Sequence, residues 1–150
     1  MFNVLMPCLV LWNALLLGAF PLDRQSIVMV GGKDYYISLD KSNWFEATNR
    51  CRQRDGFLLN LESQEELELL RPFLHPAYSY WLSINDLAVR GVYVSEATGL
   101  EAPFLNWSAG QPDNSDGDDR CVELWPSTSS QFRMNDLSCR RLVAFTCQLN

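Results

Sequence analysis

Two stretches decide how this chain is interpreted: Gln111-Pro112-Asp113-Asn114-Ser115-Asp116-Gly117-Asp118-Asp119-Arg120-Cys121 and, later in the chain, Asn135-Asp136-Leu137-Ser138-Cys139. Carboxylate and amide oxygens are concentrated in it, and the residues that can converge on one ion are Gln111, Asp113, Asp119, Asn135 and Asp136. Three of these five side chains are anionic. Calcium takes about six to eight oxygen ligands and tolerates irregular geometry. The pattern therefore predicts a calcium site with coordination positions left for a ligand.

The acidic stretch has two other interpretations. Without context, such a stretch is more often a solvated turn, but the pair Asn135-Asp136 at a fixed offset from Cys139 favours a metal site. An EF-hand loop counted from Asp113 needs glycine at its sixth position and a bidentate glutamate at its twelfth. The sixth position holds Asp118 and the twelfth is not a glutamate, so an EF-hand does not fit.

The bulk composition limits the class of protein. The chain has 150 residues, of which 47% are hydrophobic, as expected for one compact domain. Its net charge of -6 argues against binding nucleic acid by neutralising phosphates. The sequence has no basic run or basic amphipathic segment that would bind a membrane surface.

Residues 1–20 are predicted to be a secretory signal peptide. This segment is apolar, is interrupted by Pro7 and Asn13, and has no charged residue before Asp23. The cleavage position lies between Ala19 and Asp23, which leaves a mature domain at residues 21–150. An uncleaved anchor helix is the alternative, but the run is short and broken for a membrane span. The prediction is a secreted, extracellular protein that does not insert into the membrane after cleavage.

The cysteine count supports export. Five cysteines are present, and Cys8 lies in the predicted signal peptide. The remaining four are Cys51, Cys121, Cys139 and Cys147. An even number in an exported chain predicts two disulfides, with three pairings open from the sequence alone. No pair has the tight spacing of a zinc site.

Capping signals predict two helices. Asn43 and Glu46 form a capping box for the first helix, and Gly56 marks its end. Its buried face contains Trp44, Ala47, Thr48 and Cys51. The aromatic residues interpreted as core are Trp44, Phe45, Trp81 and Trp107. Ser63 and Glu66 form a capping box for the second helix. Its buried stripe contains Leu67, Leu70 and Phe73, and the prolines that limit its length are Pro72 and Pro76.

Extended segments surround these helices. The predicted strands are residues 27–30, 33–39, 57–61, 80–84, 121–125 and 142–147. Residues 86–130 form a long polar region with little periodicity, and a connection of that length in a compact domain is usually functional or disordered. The region carries Trp107, Cys121 and Trp125, which favours an ordered, functional segment. Two helices followed by strands and a long loop region predict an α+β fold.

The mature chain resembles a C-type lectin domain along nearly its whole length. The matching residues are Tyr35-Tyr36-Ile37-Ser38, Asn43-Trp44-Phe45-Glu46-Ala47, Cys51, Trp81-Leu82-Ser83-Ile84-Asn85-Asp86, Asn106-Trp107, Gly110-Gln111-Pro112-Asp113-Asn114, Cys121, Asn135-Asp136, Cys139 and Cys147. The resemblance implies the short form of the C-type lectin fold, with two helices flanking small antiparallel sheets and a long calcium-binding loop region. It also implies the disulfides Cys51–Cys147 and Cys121–Cys139.

The resemblance also implies how the calcium is used. The ligands become Gln111, Asp113, Asp119, Asn135 and Asp136, and Asp136 adds its backbone carbonyl. Pro112 is expected to follow a cis peptide bond. Two coordination positions remain for neighbouring sugar hydroxyls, which exchange further hydrogen bonds with the same five side chains. Gln-Pro-Asp resembles galactose-type sites and Glu-Pro-Asn mannose-type sites, so this chain is predicted to bind terminal galactose or N-acetylgalactosamine.

Several residues depart from the family pattern. Asn114-Ser115 follows the motif where galactose-type members often have a tryptophan, and Trp125 is interpreted as either its substitute or a core residue. Asp119 replaces the usual glutamate and Met134 the usual tryptophan. Arg90 and Arg120 occupy positions where a second calcium site has acids, and a guanidinium cannot be a metal ligand. The second site is therefore predicted to be absent, with Asp86 paired to one of these arginines.

The sequence predicts a binding protein rather than an enzyme. His75 is the only histidine, and no serine or cysteine beside it looks like an activated nucleophile. The sequence from Asn106 to Ser108 is an N-glycosylation acceptor. The expected partners are glycans or glycoproteins, and the oligomeric state is left open. The alternative is a C-type-lectin-like module that binds a protein or another non-sugar surface without calcium.

Overall fold

A computed structural model describes residues 24–128 and 131–150. The predicted signal peptide lies outside the described residues and stays a prediction. The strands are β1 (Gln25–Val30), β2 (Lys33–Ser42), β3 (Gly56–Leu58), β4 (Tyr80–Asn85), β5 (Val94–Ser95), β6 (Asp119–Thr128), β7 (Gln131–Ser138) and β8 (Val143–Leu149). The helices are α1 (Trp44–Arg52) and α2 (Gln64–Leu70), and one turn of 3-10 helix follows at Arg71–Phe73.

The strands join into one sheet in the order β1-β2-β8-β4-β6-β7, with β3 on β8 and β5 on β4. Every pair is antiparallel except β4 with β8, which is parallel. The last strand therefore lies in the middle of the sheet, between β2 and β4. The predicted α+β fold with two helices is confirmed, whereas the continuous sheet and its parallel pair were not indicated by the sequence.

Both helices begin where their capping residues predict. The side chain of Asn43 accepts a hydrogen bond from the Glu46 N–H at 2.9 Å, and that of Ser63 accepts one from the Glu66 N–H at 3.1 Å. Each contact satisfies a backbone donor that the first helical turn leaves free. The second helix ends at Leu70, before the proline. Phe73 consequently falls outside it and is 47% exposed, so its predicted place in the buried stripe is wrong.

The buried side chains form two clusters. One contains Leu61, Leu82 and Val122, and Trp107 from the long loop region packs against it. The other surrounds α1 and contains Trp44 and both disulfides. The interpretation of Phe45 as a core residue is wrong, because its side chain is 48% exposed. Its ring instead meets Trp44 edge-on, with centroids 5.5 Å apart.

The two disulfides have the pairing that the resemblance implied. Cys51–Cys147 joins α1 to β8 with a Cα–Cα distance of 5.3 Å. Cys121–Cys139 joins β6 to the residue after β7, with a Cα–Cα distance of 5.1 Å. The first bond closes most of the domain, and the second holds together the two strands next to the predicted calcium loop.

Among the described residues, none of the helices has the length and apolar character required to cross a lipid bilayer.

Removing the first disulfide should destabilise the domain more than removing the second. The first disulfide, Cys51–Cys147, spans a separation of 96 residues, whereas Cys121–Cys139 spans 18. Because the first closes the longer loop, it restricts the unfolded chain more. We expect Cys51→Ala/Cys147→Ala to lower the free energy of unfolding by about 4 kcal/mol and Cys121→Ala/Cys139→Ala by about 3 kcal/mol. Urea denaturation followed by circular dichroism measures both, and the reverse order would contradict the prediction.

Candidate functional site

The paired strands β6 and β7 position the predicted ligands. Asp119 is the first residue of β6, and Asp136 lies in β7 opposite Val122. The register shifts between Asp119 and Cys121, which marks a bulge at Arg120. A bulge re-aims the side chains around it. The loop that carries Gln111 and Asp113 leads directly into this end of β6.

Three predicted ligands converge at this point. Asp113, Asp119 and Asp136 each offer one carboxylate oxygen, and these oxygens lie within 4.8 Å of one another. Asp113 is exposed, whereas Asp119 and Asp136 are only 3% and 2% exposed. Buried carboxylates at such separations repel one another unless donors or a cation compensate their charge.

Backbone donors from the loop supply part of that compensation. The two oxygens of Asp136 accept hydrogen bonds from the N–H groups of Asp113 (3.1 Å) and Asn114 (2.8 Å). Oδ2 of Asp119 accepts from the Asp116 N–H at 2.9 Å and from the Ser115 hydroxyl at 3.3 Å. The loop is thus folded around the carboxylates.

One buried oxygen of the cluster has no donor among the described residues. Oδ1 of Asp119 is buried and has no hydrogen-bond partner within the described part of the chain. A buried anionic oxygen without a partner is costly. Together with two neighbouring carboxylates, it has the hard-oxygen chemistry that a calcium ion requires. The residues present therefore fit calcium.

Gln111 lies at the edge of this cluster. Its peptide bond to Pro112 is cis, as the resemblance implied. Its side-chain Oε1 accepts a hydrogen bond from the Asp113 N–H at 3.1 Å. The Gln111 N–H donates to the Ser108 carbonyl at 3.0 Å, which closes the turn that presents the motif.

Asn135 is held differently from the other predicted ligands. Its amide nitrogen donates to Oε1 of Glu123 at 3.0 Å, and the two residues are opposite each other in β7 and β6. An asparagine amide has a second N–H and a carbonyl oxygen. Both remain for an ion or a ligand in addition to the contact with Glu123. The structure thus brings the carboxylates of Asp113, Asp119 and Asp136 together. Gln111 is connected to this cluster by its hydrogen bond with Asp113. Asn135 is hydrogen-bonded to Glu123 instead.

Sequence reasoning missed Glu123. Its side chain is 6% exposed, and burial raises the pKa of this carboxyl above its usual range, although the Asn135 amide partly offsets the shift. The available signal was an acidic residue between Val122 and Leu124, both of which are buried, in a strand that alternates with period two. A charge in such a strand needs a specific partner, and that partner is a predicted ligand.

Arg120 and Asp86 form the ion pair that was expected. Nε of Arg120 lies 3.1 Å from Oδ1 of Asp86, and these side chains are 14% and 4% exposed. The guanidinium also donates to the Asp86 carbonyl, and Oδ2 of Asp86 accepts from the Gly91 N–H at 2.7 Å. Arg90 donates to the Gly117 carbonyl at 3.2 Å. The absence of a second calcium site stays a prediction, and a guanidinium in this position supports it.

Asn106, the acceptor of the glycosylation sequence, makes hydrogen bonds through both the nitrogen and the oxygen of its side-chain amide. Its Nδ2 donates to Oε1 of Gln64 at 2.5 Å, and its Oδ1 accepts from Arg133. Ser108, the third residue of the sequence, is buried, and its hydroxyl accepts the Trp125 indole N–H at 2.6 Å. Glycosylation at Asn106 stays a prediction.

His75 has contacts of a structural kind. Its Nδ1 accepts a hydrogen bond from the Ala77 N–H at 3.1 Å, and its ring meets Tyr78 edge-on with centroids 5.1 Å apart. It contributes nothing to the carboxylate cluster.

Comparison with known proteins identifies the family. Residues 40–149 match the family model described as Lectin C-type domain, and the chain belongs to this family. It is 70% identical over 150 residues to C-type lectin 37Db of Drosophila melanogaster, covering all of this chain and 99% of that protein. Members of this family are carbohydrate-binding proteins and not enzymes.

Solved structures show the same fold. The mouse scavenger receptor C-type lectin carbohydrate-recognition domain is 25% identical, with a TM-score of 0.71 over 84% of this chain and 95% of that one. A calcium-independent type II antifreeze protein is 19% identical, with a TM-score of 0.71 over 81% of this chain and 89% of that one. The second likeness concerns the fold alone.

Removing the guanidinium of Arg120 should destabilise the loop region. Arg120→Met leaves the buried Asp86 carboxylate without its cation, and we expect a loss of about 3 kcal/mol in the free energy of unfolding. Arg120→Met/Asp86→Asn should recover part of this loss, because no unpaired charge then stays buried. Arg140→Met, at an exposed arginine, is the control. Equal stability of Arg120→Met and this control in urea would show that the ion pair contributes nothing.

Proposed function

We propose that this protein is a secreted, calcium-dependent lectin that binds terminal galactose or N-acetylgalactosamine. The observation that carries the proposal is the buried Asp119 Oδ1, which lacks a donor and lies in a cluster with Asp113 and Asp136. The predicted signal peptide and the two disulfides support export.

The proposed calcium ligands are Gln111, Asp113, Asp119, Asn135 and Asp136, with the Asp136 carbonyl. When bound, calcium offsets two of the three negative charges of the carboxylates and offers its remaining coordination positions to two sugar hydroxyls. The chain supplies the rest of the recognition. Carboxylate oxygens accept hydrogen bonds from those hydroxyls, and the amide groups of Gln111 and Asn135 donate to them. The second N–H of Asn135 serves this purpose while the first stays on Glu123.

The order of amide and acid in the motif supports a galactose-type ligand. Gln111 places a donor on one side of Pro112, and Asp113 places an acceptor on the other. Every sugar hydroxyl can both donate and accept a hydrogen bond, so this order alone selects no sugar. The choice of galactose rests on the resemblance, in which Gln-Pro-Asp is the galactose-type order and Glu-Pro-Asn the mannose-type order.

A shallow site of this kind binds a single sugar weakly. A dissociation constant near the millimolar end of the scale corresponds to about -4 kcal/mol. Clustered glycans or an oligomer of the lectin raise the avidity without any new contact.

Calcium should raise the melting temperature, because an ion that binds only the folded state stabilises it. In differential scanning fluorimetry we expect a rise of several degrees between EDTA and a saturating calcium concentration for the wild type. Asp119→Asn should lose most of this rise. Asp118→Asn is the matched control, since its carboxylate is exposed and adjacent, and it should keep the rise. An equal melting temperature of the wild type in EDTA and in calcium would contradict the proposed calcium site.

Exchanging the amide and the acid should exchange the sugar preference. Gln111→Glu/Asp113→Asn keeps the net charge and the number of oxygen ligands but reverses the motif order. We expect the wild type to bind immobilised galactose, to be released by EDTA or free galactose, and to be poorly displaced by mannose. The double variant should be displaced preferentially by mannose while its calcium affinity changes little. An unchanged sugar preference would contradict this account of specificity.

A second candidate is a lectin-like module that binds a protein or another non-sugar surface without calcium. The observation that favours it is the set of loop N–H groups that already satisfy Asp136 and one oxygen of Asp119. A protein described as a calcium-independent type II antifreeze protein has the same fold. Retention of a bound ligand in EDTA, with no calcium uptake by calorimetry, would select this candidate over the first.

A further inference from the structure

The strand β1 forms one end of the sheet, and among the described residues no strand pairs with its outer edge. We infer that two copies of the chain associate through this edge, with their β1 strands antiparallel across a two-fold axis at Val28. The two sheets then become one continuous sheet. Neither calcium nor a sugar takes part in this contact, so the inference does not depend on the function proposed above.

The pairing of β1 with β2 determines which backbone groups of β1 point outward. The carbonyl of Arg24, directly before β1, accepts a hydrogen bond from the Leu39 N–H at 2.8 Å, and the register of the two strands has no shift. Hydrogen-bonded and non-hydrogen-bonded positions alternate along an antiparallel pair. Arg24 and the even-numbered residues of β1 therefore bond to β2, and the N–H and C=O groups of Ile27 and Met29 face outward.

Exposed apolar side chains line both faces of this edge. On one face, the side chains of Ile27 and Met29 are 67% and 74% exposed. On the other face, Leu69 lines a cavity beside the end of β1 and Phe73 lines one beside its start, and both of these side chains are about half exposed. Contiguous exposed apolar surface of this kind marks a site where another molecule binds.

The opposite end of the sheet is protected, whereas β1 is not. At that end the backbone of Met134 in β7 exchanges hydrogen bonds with Asn106 and Ser108, so a loop covers the strand. Proteins also protect an edge strand with charges, proline or a bulge. The segment Gln25–Val30 contains no charged residue and no proline, and its pairing with β2 contains no bulge. An edge without these features is a template for pairing with another strand.

The sequence of β1 matches its own antiparallel copy. With the two-fold axis at Val28, Ile27 of one copy is opposite Met29 of the other, and each such pair exchanges both of its outward backbone hydrogen bonds. The same two positions place apolar side chains opposite apolar side chains, which stabilises a strand pair. A two-fold contact of this kind uses the same surface on both copies and closes at a dimer.

The charges beside β1 permit this contact although the chain carries a net charge of -6. Arg24, before the strand, is paired with Asp40 at 2.9 Å. Lys33, after the turn that ends the strand, is paired with Glu62 at 3.0 Å and with Glu66 at 2.9 Å. The basic side chains at both ends of β1 are thus compensated within each copy, and the strand itself brings no like charges together.

The position of β1 leaves the proposed calcium sites accessible in both copies. β1 is at one end of the sheet order, and β6 and β7 are at the other. Because neighbouring strands are about 4.8 Å apart, the two carboxylate clusters lie about 40 Å apart along the joined sheet. The dimer therefore presents two sites at once.

A second copy fits this edge better than the remainder of the same chain. After removal of the predicted signal peptide, residues 20–23 at most precede Arg24, and so short a segment does not turn back along the whole strand. An extended segment of a different protein could use the same backbone groups, but the self-match of Ile27 with Met29 favours a copy of this chain.

The experiment is sedimentation velocity of the protein, purified after expression of the full chain, between about 5 μM and 0.5 mM in EDTA. A single strand pair is a small interface, so we expect a weak, reversible dimer that is dominant only at the highest concentrations. Ile27→Lys/Met29→Lys places like charges across the axis and should raise the dissociation constant at least about tenfold. Leu100→Lys/Leu142→Lys is the matched control, since these two apolar side chains are similarly exposed, and it should dimerise as the wild type does.

Hydrogen exchange of the wild type, followed by NMR, gives a second measurement at individual residues. The amides of Ile27 and Met29 should exchange at least about tenfold more slowly at the highest concentration than at the lowest, because only the dimer bonds them. The amide of Val28 bonds to β2 in either state, so its exchange should change much less with concentration.

Several outcomes would overturn the inference. A wild type that stays monomeric at every concentration leaves the edge to a different partner. Equal dimerisation of Ile27→Lys/Met29→Lys and the control places the contact elsewhere, and growth into open polymers excludes a two-fold pair. Slow exchange of Ile27 and Met29 at every concentration means that another segment of the same chain covers the edge. If Ile27→Lys/Met29→Lys fails to fold, the exchange measurement on the wild type still decides.

Discussion

The pairing of β6 with β7, cross-linked by Cys121–Cys139, is the constraint on which the rest of the site depends. These two strands carry the buried carboxylates of Asp119 and Asp136 and the pair Glu123–Asn135. Residues 106–108 extend the same surface, since Met134 exchanges backbone hydrogen bonds with them. The loop from Gln111 onwards then needs only local contacts to close over the carboxylates. A shift of one residue in this register would turn every one of these side chains to the opposite face of the sheet.

This arrangement concentrates negative charge in a region of the domain that is nearly inaccessible to solvent. Asp119 and Asp136 are nearly inaccessible, and Glu123 is buried on the other side of the same strands. Burial of a charge without a cation usually destabilises a domain. Here backbone N–H groups and an amide offset part of that cost, and one buried oxygen of Asp119 is left without a donor among the described residues. Stability and function are therefore in tension at this end of the sheet, as is common for binding sites.

Local chemistry made much of this predictable. Capping residues predicted both helix starts, because each start depends on a short motif. The resemblance implied the cis bond and the cysteine pairing, although one pair joins residues 96 positions apart. Phe73 was misjudged because α2 ends at Leu70, before the periodic stripe reaches it. Phe45 was misjudged because an aromatic residue type does not reveal whether a neighbour covers the ring. The contact of Glu123 with Asn135 joins residues 12 positions apart, and its register is set by the whole strand pair. The exposure of Trp125 likewise follows from tertiary packing, which a single sequence does not encode in any local pattern.

The ion pair of Arg120 with Asp86 has a consequence for how the domain responds to its surroundings. A cation that belongs to the polypeptide cannot be removed by dilution, by citrate or by a chelator. The contact between Arg120 and Asp86 is therefore fastened by a permanent counter-charge. If the cluster beside Asp119 binds calcium as proposed, a fluid poor in calcium would empty that cluster while this ion pair stays in place, ready for the site to be loaded again.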